Sequence, residues 1–94
     1  MIRADPWLFF LVNMLMTIKL FAVAKQRVGR DSIQVEVREG ATVRELREAV
    51  AGQYPPLADL LPHVRFAVNS DYAADSQAIP AGAEVACIPP VSGG

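Results

Sequence analysis

The sequence predicts an α+β fold in which one main helix packs on a mixed sheet of four to five strands. Several short segments alternate apolar and polar residues with the period of a strand, and only one substantial segment carries apolar residues at helical spacing. Strands and helices do not alternate regularly, so repeated βαβ units are not indicated. Hydrophobic residues make up 52% of the chain, which indicates a packed core and not a disordered segment.

Composition excludes several functional classes. Ninety-four residues make one small domain, and nine basic against ten acidic residues leave no electrostatic footprint for nucleic acid. One cysteine and one histidine cannot build a disulfide framework or a multi-ligand Cys/His metal site. We therefore predict no metal site, no nucleic-acid partner and a cytoplasmic location. We interpret Cys87 as a core residue and His63 as a loop residue.

The chain begins with an apolar run, Trp7–Met16, that contains a single asparagine. A membrane span needs about 20 apolar residues, so this run is too short to cross a bilayer. Asp5 lies where a signal peptide should be basic, and no small-residue cleavage site follows. We expect residues 1–15 to be an extension outside the fold, and the functional chain to begin at Met14 or Met16.

Two strands are predicted first, at 17–24 and 33–37, separated by a polar, turn-like segment at 25–32. The first strand has one wholly apolar face and reads as an internal strand, whereas the second alternates cleanly and reads as half-buried. We expect the two to form a hairpin. The faces of the first strand are Ile18, Leu20 and Ala22 on one side, and Lys19, Phe21 and Val23 on the other.

The main helix is predicted to begin after Thr42. Thr42 and Glu45 form a capping-box pattern, in which each side chain can satisfy a backbone amide of the other. Apolar residues then recur at helical spacing, and Gly52 is a natural stop. The residues predicted to face the sheet are Val43, Leu46 and Val50.

Two more strands are predicted after the helix, together with a short edge strand. The prolines at 55 and 56 end the helix, and Leu57, Leu60 and Leu61 are expected to cap the core from a loop. A third strand follows at 64–69, and the segment 70–83 is loop-like, with the short edge strand at Tyr72 and Ala73. The last strand covers 84–88.

The sequence then ends on PPVSGG, residues 89–94. The two prolines end the strand and stiffen the root of this final segment, since each has a fixed φ and no amide donor. Gly93 and Gly94 have no β-carbon, so they can extend into a passage too narrow for other residues. We predict a flexible, projecting tail with the carboxylate of Gly94 as its reactive group. The body shows no Ser/His/Asp or paired-carboxylate constellation and no Gly-rich phosphate loop.

Four segments resemble the MoaD/ThiS-like β-grasp (ubiquitin-like) family, and within it the sulfur-carrier small subunits of molybdopterin synthase. They are IKLFAVAKQRVG (18–29), ATVRELREAV (41–50), AVN (67–69) and EVACIPPVSGG (84–94). The resemblance covers residues 16–94 and leaves out the extension. It implies a β-grasp domain at 16–88 and a functional tail at 89–94.

The resemblance also implies an activity for Gly94. In this family an adenylyltransferase, similar to ubiquitin-activating enzymes, uses ATP to join AMP transiently to the terminal glycine, and a sulfurtransferase system converts the acyl-adenylate to a thiocarboxylate. The large catalytic subunit of molybdopterin synthase accepts the tail, and the sulfur passes to cyclic pyranopterin monophosphate. The chain would bind no cofactor itself and would be the non-catalytic sulfur-donor subunit of that enzyme complex. The residues inserted in the partner would be Gly93, Ser92, Val91, Pro90 and Pro89.

The fold also implies a partner surface. If the first and last strands lie side by side, Val85 and Cys87 face the helix and the alternate residues face outward. An apolar outward face suggests docking of a partner, with an arginine at the rim. The alternative is that the N-terminal extension or another copy of the chain covers this face. The predicted surface residues are Phe21, Ala86, Ile88 and Arg65.

Three other functions remain open. The same thiocarboxylate serves sulfur carriers for thiamin thiazole or another pathway, although residues 53–62 together with PPVSGG favour molybdopterin. A ubiquitin-like modifier would instead place Gly94 in an isopeptide bond to a lysine. The third is an inert β-grasp interaction domain, which would not need Gly94 at all.

Overall fold

The computed structural model describes residues 13–90, which form a five-stranded mixed sheet with two helices. The predicted α+β class is confirmed. The sheet has the strand order β2-β1-β5-β3-β4. The elements are β1 (Asn13–Leu20), α1 (Ala22–Val28), β2 (Ser32–Arg38), α2 (Val43–Gln53), two short 3₁₀ turns (Pro55–Leu57 and Leu61–His63), β3 (Arg65–Val68), β4 (Asp71–Tyr72) and β5 (Val85–Ile88).

The first and last strands lie side by side at the centre of the sheet, as predicted. β1 and β5 are parallel, with Ile18 opposite Val85 and Leu20 opposite Cys87. All four of these side chains are buried, and Cys87 is confirmed as a core residue. Parallel central strands covered by a helix bury apolar residues heavily, which is why this part of the sequence is so apolar.

The first strand begins earlier and ends earlier than predicted. Asn13, Met14 and Leu15 pair with β2, so three residues of the segment assigned to the extension are part of β1. The predicted start at residue 17 was wrong because Leu15 is apolar yet 66% exposed, which hid the upstream continuation of the strand alternation. Residues 1–12 lie outside the described part of the chain.

A helix, α1, stands where the end of a strand and a polar turn were predicted. Ala24 and Val28 are four residues apart and turn toward the core, a helical and not a strand spacing. Gly29 adopts a left-handed conformation (φ 79°) and donates its N–H to the carbonyl of Lys25 at 2.7 Å, which closes the last turn. β1 and β2 are antiparallel neighbours as predicted, but α1 joins them and no tight hairpin turn does.

The N-terminus of α2 is fully hydrogen-bonded, and its predicted capping box is confirmed. The N–H of Glu45 donates to Thr42 Oγ1 at 3.2 Å, and the N–H of Thr42 donates to Glu45 Oε1 at 3.0 Å. The first two helical amides, those of Val43 and Arg44, donate to carbonyls of the 70–83 loop at 2.9 and 3.0 Å. The loop and the helix therefore position each other. Gly52 does not end the helix, which runs one residue further.

Glu45 also makes a paired contact with Arg38 at the end of β2. Nε and Nη2 of Arg38 donate to the two carboxylate oxygens at 2.9 and 2.7 Å. The Arg38 guanidinium and, next, the amide of Thr42 lower the pKa of Glu45 from its ordinary 4.5 to about 2. A depressed carboxyl pKa contributes stability that is present above the ordinary pKa and is lost as pH falls towards the folded value.

The Glu45→Gln variant should therefore change how stability depends on acid. Glutamine keeps the bond to the Thr42 amide but loses the charge that Arg38 stabilises. We expect the parent protein to melt at a higher temperature than the variant at neutral pH, and this gap to close as pH falls from about 5 to about 2. Thermal melts at matched pH values measure it, and a gap that stays constant across this window would contradict the assignment.

Arg47 fastens α2 to the segments that follow it. Its Nη1 donates to the carbonyls of Leu61 and, at 2.7 Å, of Val64, while Nη2 donates to Asp75 Oδ1 at 2.8 Å. The guanidinium also lies over the ring of Phe66, 5.1 Å from its centroid. Since the Arg47 side chain is only 19% exposed, these acceptors depend on it and not on water.

We expect Arg47→Ala to lower the free energy of unfolding by about 2 to 3 kcal/mol, because it leaves two backbone carbonyls and a carboxylate without their donor. Arg44→Ala is the matched control, since Arg44 is an exposed arginine on the same helix, and it should change stability by less than about 0.5 kcal/mol. Urea denaturation of the two variants checks this. Equal effects would mean that the Arg47 contacts contribute little.

The outer edge of β2 is closed by side chains from the end of α2. The Gln53 amide accepts from the N–H of Glu36 at 2.9 Å and donates to the carbonyl of the same residue at 2.8 Å. The Tyr54 hydroxyl donates to the carbonyl of Gln34 at 2.7 Å. These contacts occupy backbone groups that an added strand would need. Partner docking on this edge is therefore disfavoured.

The remaining predictions for the core hold with small changes. The leucines at 57 and 61 are buried from the two 3₁₀ turns, and Leu60 is half-buried. β3 and β4 are joined by Asn69 and Ser70, both at positive φ, which is the geometry of a two-residue hairpin turn. The edge strand covers Asp71–Tyr72, not 72–73. Within residues 13–90, no helix has the length and apolar character needed to cross a bilayer.

Candidate functional site

The predicted tail leaves the body where β5 ends. β5 stops at Ile88, and Pro89 and Pro90 follow, as expected from residues that cannot extend a central strand. Pro89 is buried and Pro90 is exposed, so the chain reaches the surface between these two residues. The other predicted tail residues, Val91, Ser92, Gly93 and Gly94, lie outside the described part of the chain.

The first turn of α1 forms the wall beside this exit. An open groove of about 460 Å³ separates them, and Gln26 is its polar side chain. Ala22 begins the helix at φ 54°, a left-handed conformation that costs a non-glycine residue about 1 kcal/mol. That turn lets the chain leave β1 and place α1 next to the prolines. The groove is lined by Phe21, Ala22, Val23, Gln26, Ile88, Pro89 and Pro90.

The side of the sheet away from α2, which we call the outward face, continues from the exit. The strand register places Ile88 opposite Arg65, and Phe21 and Ile88 line the same grooves. One step further from the exit, the register sets four residues side by side across four strands. They are Lys19, Ala86, Ala67 and Tyr72.

The outward face is apolar at its centre and charged at its rim. Phe21 is 47% exposed and Tyr72 is 57% exposed, whereas the two alanines between the strands form a shallow floor. Lys19 Nζ lies 3.1 Å from Glu84 Oε2, and both side chains remain largely in solvent. A depression of about 340 Å³ runs between them. This arrangement of apolar centre and polar rim is typical of a docking surface.

The four predicted surface residues come together on this face. Phe21, Ala86 and Ile88 form the part nearest the exit, and Arg65 lies at the rim with its guanidinium 4.0 Å from the centroid of the Tyr72 ring. This stacking places a planar cation on an exposed aromatic ring. Their role in binding a partner stays a prediction.

Sequence reasoning missed three parts of the site. Tyr72 was assigned to an edge strand, but its position beside Ala67 depends on the hairpin register, which a local pattern does not give. The wall from α1 was missed with the helix itself. Its available signal was Gly29 after Lys25 and Arg27, since basic residues before a glycine are typical of a helix end. The Lys19–Glu84 pair follows from β1 and β5 being neighbours.

The described residues offer binding surfaces and no evident catalytic group. Cys87 is 1% exposed and burial raises the pKa of its thiol to about 11, so it is a poor nucleophile near neutral pH. His63 is exposed in the second 3₁₀ turn. Between residues 13 and 90, no group of three or more histidine, cysteine, aspartate or glutamate side chains is placed to hold a metal ion.

Comparisons with known proteins match almost the whole of the described fold. The sequence model of the ThiS family matches residues 18–94. Small archaeal modifier protein 1 of Haloferax volcanii is 36% identical over 84 residues, an alignment that covers 81% of this chain and 97% of that protein. The molybdopterin synthase sulfur carrier subunit of Chlamydomonas reinhardtii is 35% identical over 83 residues, covering 84% of this chain and 100% of that one.

A solved structure agrees with these relatives. The crystal structure of the Haloferax volcanii modifier superposes with a TM-score of 0.73 at 34% identity, and the match covers 86% of this chain and 100% of that one. The predicted β-grasp, ubiquitin-like fold is therefore confirmed. The first 17 residues lie outside the match to the family model.

Proposed function

The chain belongs to the ThiS family, and from this premise we propose that it is the sulfur carrier of molybdenum cofactor biosynthesis. At the coarser level, its relatives support a ThiS/MoaD-type sulfur carrier or a ubiquitin-like modifier. The observation that carries the finer proposal is the 35% identity to a molybdopterin synthase sulfur carrier subunit over that protein's whole length.

The proposed chemistry takes place at Gly94. A carboxylate is a poor electrophile, so an adenylyltransferase that uses ATP joins it to AMP with release of pyrophosphate. A sulfur nucleophile supplied by a sulfurtransferase then displaces AMP, and the product after release is a C-terminal thiocarboxylate. The thiocarboxylate is a nucleophile near neutral pH, and it donates its sulfur to cyclic pyranopterin monophosphate in the catalytic subunit of molybdopterin synthase.

The fold supports this division of labour. Gly93 and Gly94 have no β-carbon and can reach a buried site in another protein, where holding the reactants in place supplies much of the rate. Pro89 and Pro90 restrict the root of the tail, so less conformational entropy is lost when the partner fixes it. Because the outward face adjoins this root, one partner can hold the face and receive the tail together.

Reconstitution with the large subunit of molybdopterin synthase tests the pathway. We expect the purified chain to form a stable complex with that subunit and, once thiocarboxylated, to support formation of the dithiolene from cyclic pyranopterin monophosphate. Absence of a complex with that subunit, while the chain still acquires a thiocarboxylate, would instead favour the thiamin thiazole pathway or another sulfur-carrier pathway.

A protein-modifier function is the second candidate, because one relative is named a small archaeal modifier protein and is 36% identical. In that case Gly94 would form an isopeptide bond with a substrate lysine. Conjugates of higher mass in cell lysate, which disappear when Gly94 is deleted, would support it. A lysate free of such conjugates leaves the sulfur carrier as the better account.

A further inference from the structure

We propose that the apolar segment Trp7–Val12 of this chain occupies the outward face and that a partner must displace it. The segment would act as an intramolecular strap across the surface nearest the tail exit. The proposal depends on the chemistry of the segment, on the exposed face and on the length of chain between them.

The segment is strongly apolar and continues directly into β1. Its sequence is WLFFLV, and Asn13 is the next residue and the first of the strand. Burying a large apolar side chain contributes about 1.5 to 3 kcal/mol relative to leaving it in water. Six such residues in a row therefore have a strong drive to find an apolar surface, and a strand at the surface of the same molecule is the nearest place to look.

The outward face offers such a surface. Leu15 is 66% exposed on β1, and Phe21 and Tyr72 are the other large apolar side chains that remain exposed in the described part of the chain. Leu15 lies on the same side of β1 as Lys19, because residues two and four apart on a strand share a face. The apolar surface thus extends from the start of β1 towards the depression beside Ala86.

The length of the segment fits this distance. Six residues separate Asn13 from Lys19, which is about 20 Å along a strand. Trp7 is also six residues from Asn13, so a chain that reverses just before β1 brings Trp7 level with Thr17 or Lys19, at the near end of the depression. A tethered segment also has an effective concentration of about millimolar, which favours it over a second copy at ordinary protein concentrations.

The segment is an addition to the family's common fold. The match to the family model begins at residue 18, and the relatives align over nearly their whole length with only 81 to 84% of this chain. A strap of this kind would therefore regulate this chain in particular. If it is docked nine-tenths of the time, it weakens the apparent affinity for a partner on the same face about tenfold. This consequence rests on the proposed function, whereas the docking does not.

The test uses Trp7, which is the single tryptophan of the chain. Acrylamide quenching of Trp7 fluorescence is measured in the full-length chain and in two variants. Ala86→Arg places a long charged side chain in the middle of the outward face. Ala58→Arg is the matched control, since Ala58 is exposed between the 3₁₀ turns, in the layer on the other side of the sheet.

We expect Trp7 in the parent chain to be quenched about threefold less than in Ala86→Arg, because a docked indole is shielded from solvent. Ala58→Arg should match the parent, and a hundredfold dilution should change neither value. Equal quenching in the parent and Ala86→Arg, with circular dichroism showing that both fold, overturns the proposal. Protection that disappears on dilution also overturns it, because the face would then hold a second copy.

Deletion of residues 1–12 provides an independent measurement. Affinity for the catalytic subunit of molybdopterin synthase should rise about tenfold when the strap is removed. An unchanged affinity overturns the competition between strap and partner. If neither chain binds that subunit, the proposed pathway fails, while the fluorescence result still decides whether the strap docks.

Discussion

Deletion of Gly94 is expected to lower sulfur transfer by about a thousandfold or more, because the reacting carbon then no longer reaches the position at which the partner holds it. Shortening the tail moves the carboxylate back by one residue, about 3.5 Å, and places it on Gly93. The partner still binds the body, but the two reactants are no longer in contact. The measurement is the rate of dithiolene formation with the reconstituted synthase.

Gly52→Ala is the control for this deletion. Gly52 lies in α2, its φ is not in the left-handed region, and a β-carbon there would meet nothing within 4 Å. Sulfur transfer should be unchanged, and the free energy of unfolding should rise by about 1 kcal/mol because alanine favours the helix. A chain without Gly94 that transfers sulfur at the parent rate would contradict the proposed role of the tail.

Ala86→Arg is expected to weaken binding of the catalytic subunit by about a hundredfold, or about 2.7 kcal/mol. Ala86 lies between Lys19 and Ala67 in the shallow floor of the outward face. A partner packed on this floor would clash with the longer side chain and would also have to desolvate its charge. The free protein avoids this cost, because the arginine can extend into solvent.

The matched variant is again Ala58→Arg, which adds the same charge outside the face and should leave affinity within about twofold of the parent. Isothermal titration with the catalytic subunit compares the three chains, and urea denaturation confirms that both variants fold. Should Ala58→Arg lose as much affinity as Ala86→Arg, the effect would come from net charge, and the outward face would lose its assigned role.

The elements with an explicit local signal were predicted well from the sequence. β2 alternates without interruption, and Thr42 with Glu45 gives α2 a start that the structure confirms through two reciprocal hydrogen bonds. These features depend on neighbours in the chain. Local propensity and local hydrogen bonding therefore decide them, and tertiary contacts only reinforce the result.

The elements that failed were those whose local pattern was ambiguous. Residues 22–24 alternate as a strand would, yet they begin α1, because Ala24 and Val28 bury one helical face and Gly29 closes the end. The outward face was predicted in part, through the phase of β5. Tyr72 joined it through a hairpin register, and register is fixed by cross-strand packing that a single segment does not reveal.

The central claim is that the body presents a terminal acyl group and that the partners carry out the catalysis. Intact-mass spectrometry of the protein isolated from its native cells tests it most directly. We expect a species about 16 Da heavier than the unmodified chain, with oxygen replaced by sulfur, mapped by fragmentation to Gly94. A native chain whose terminal glycine carries only a carboxylate, in cells actively making the cofactor, would contradict the account.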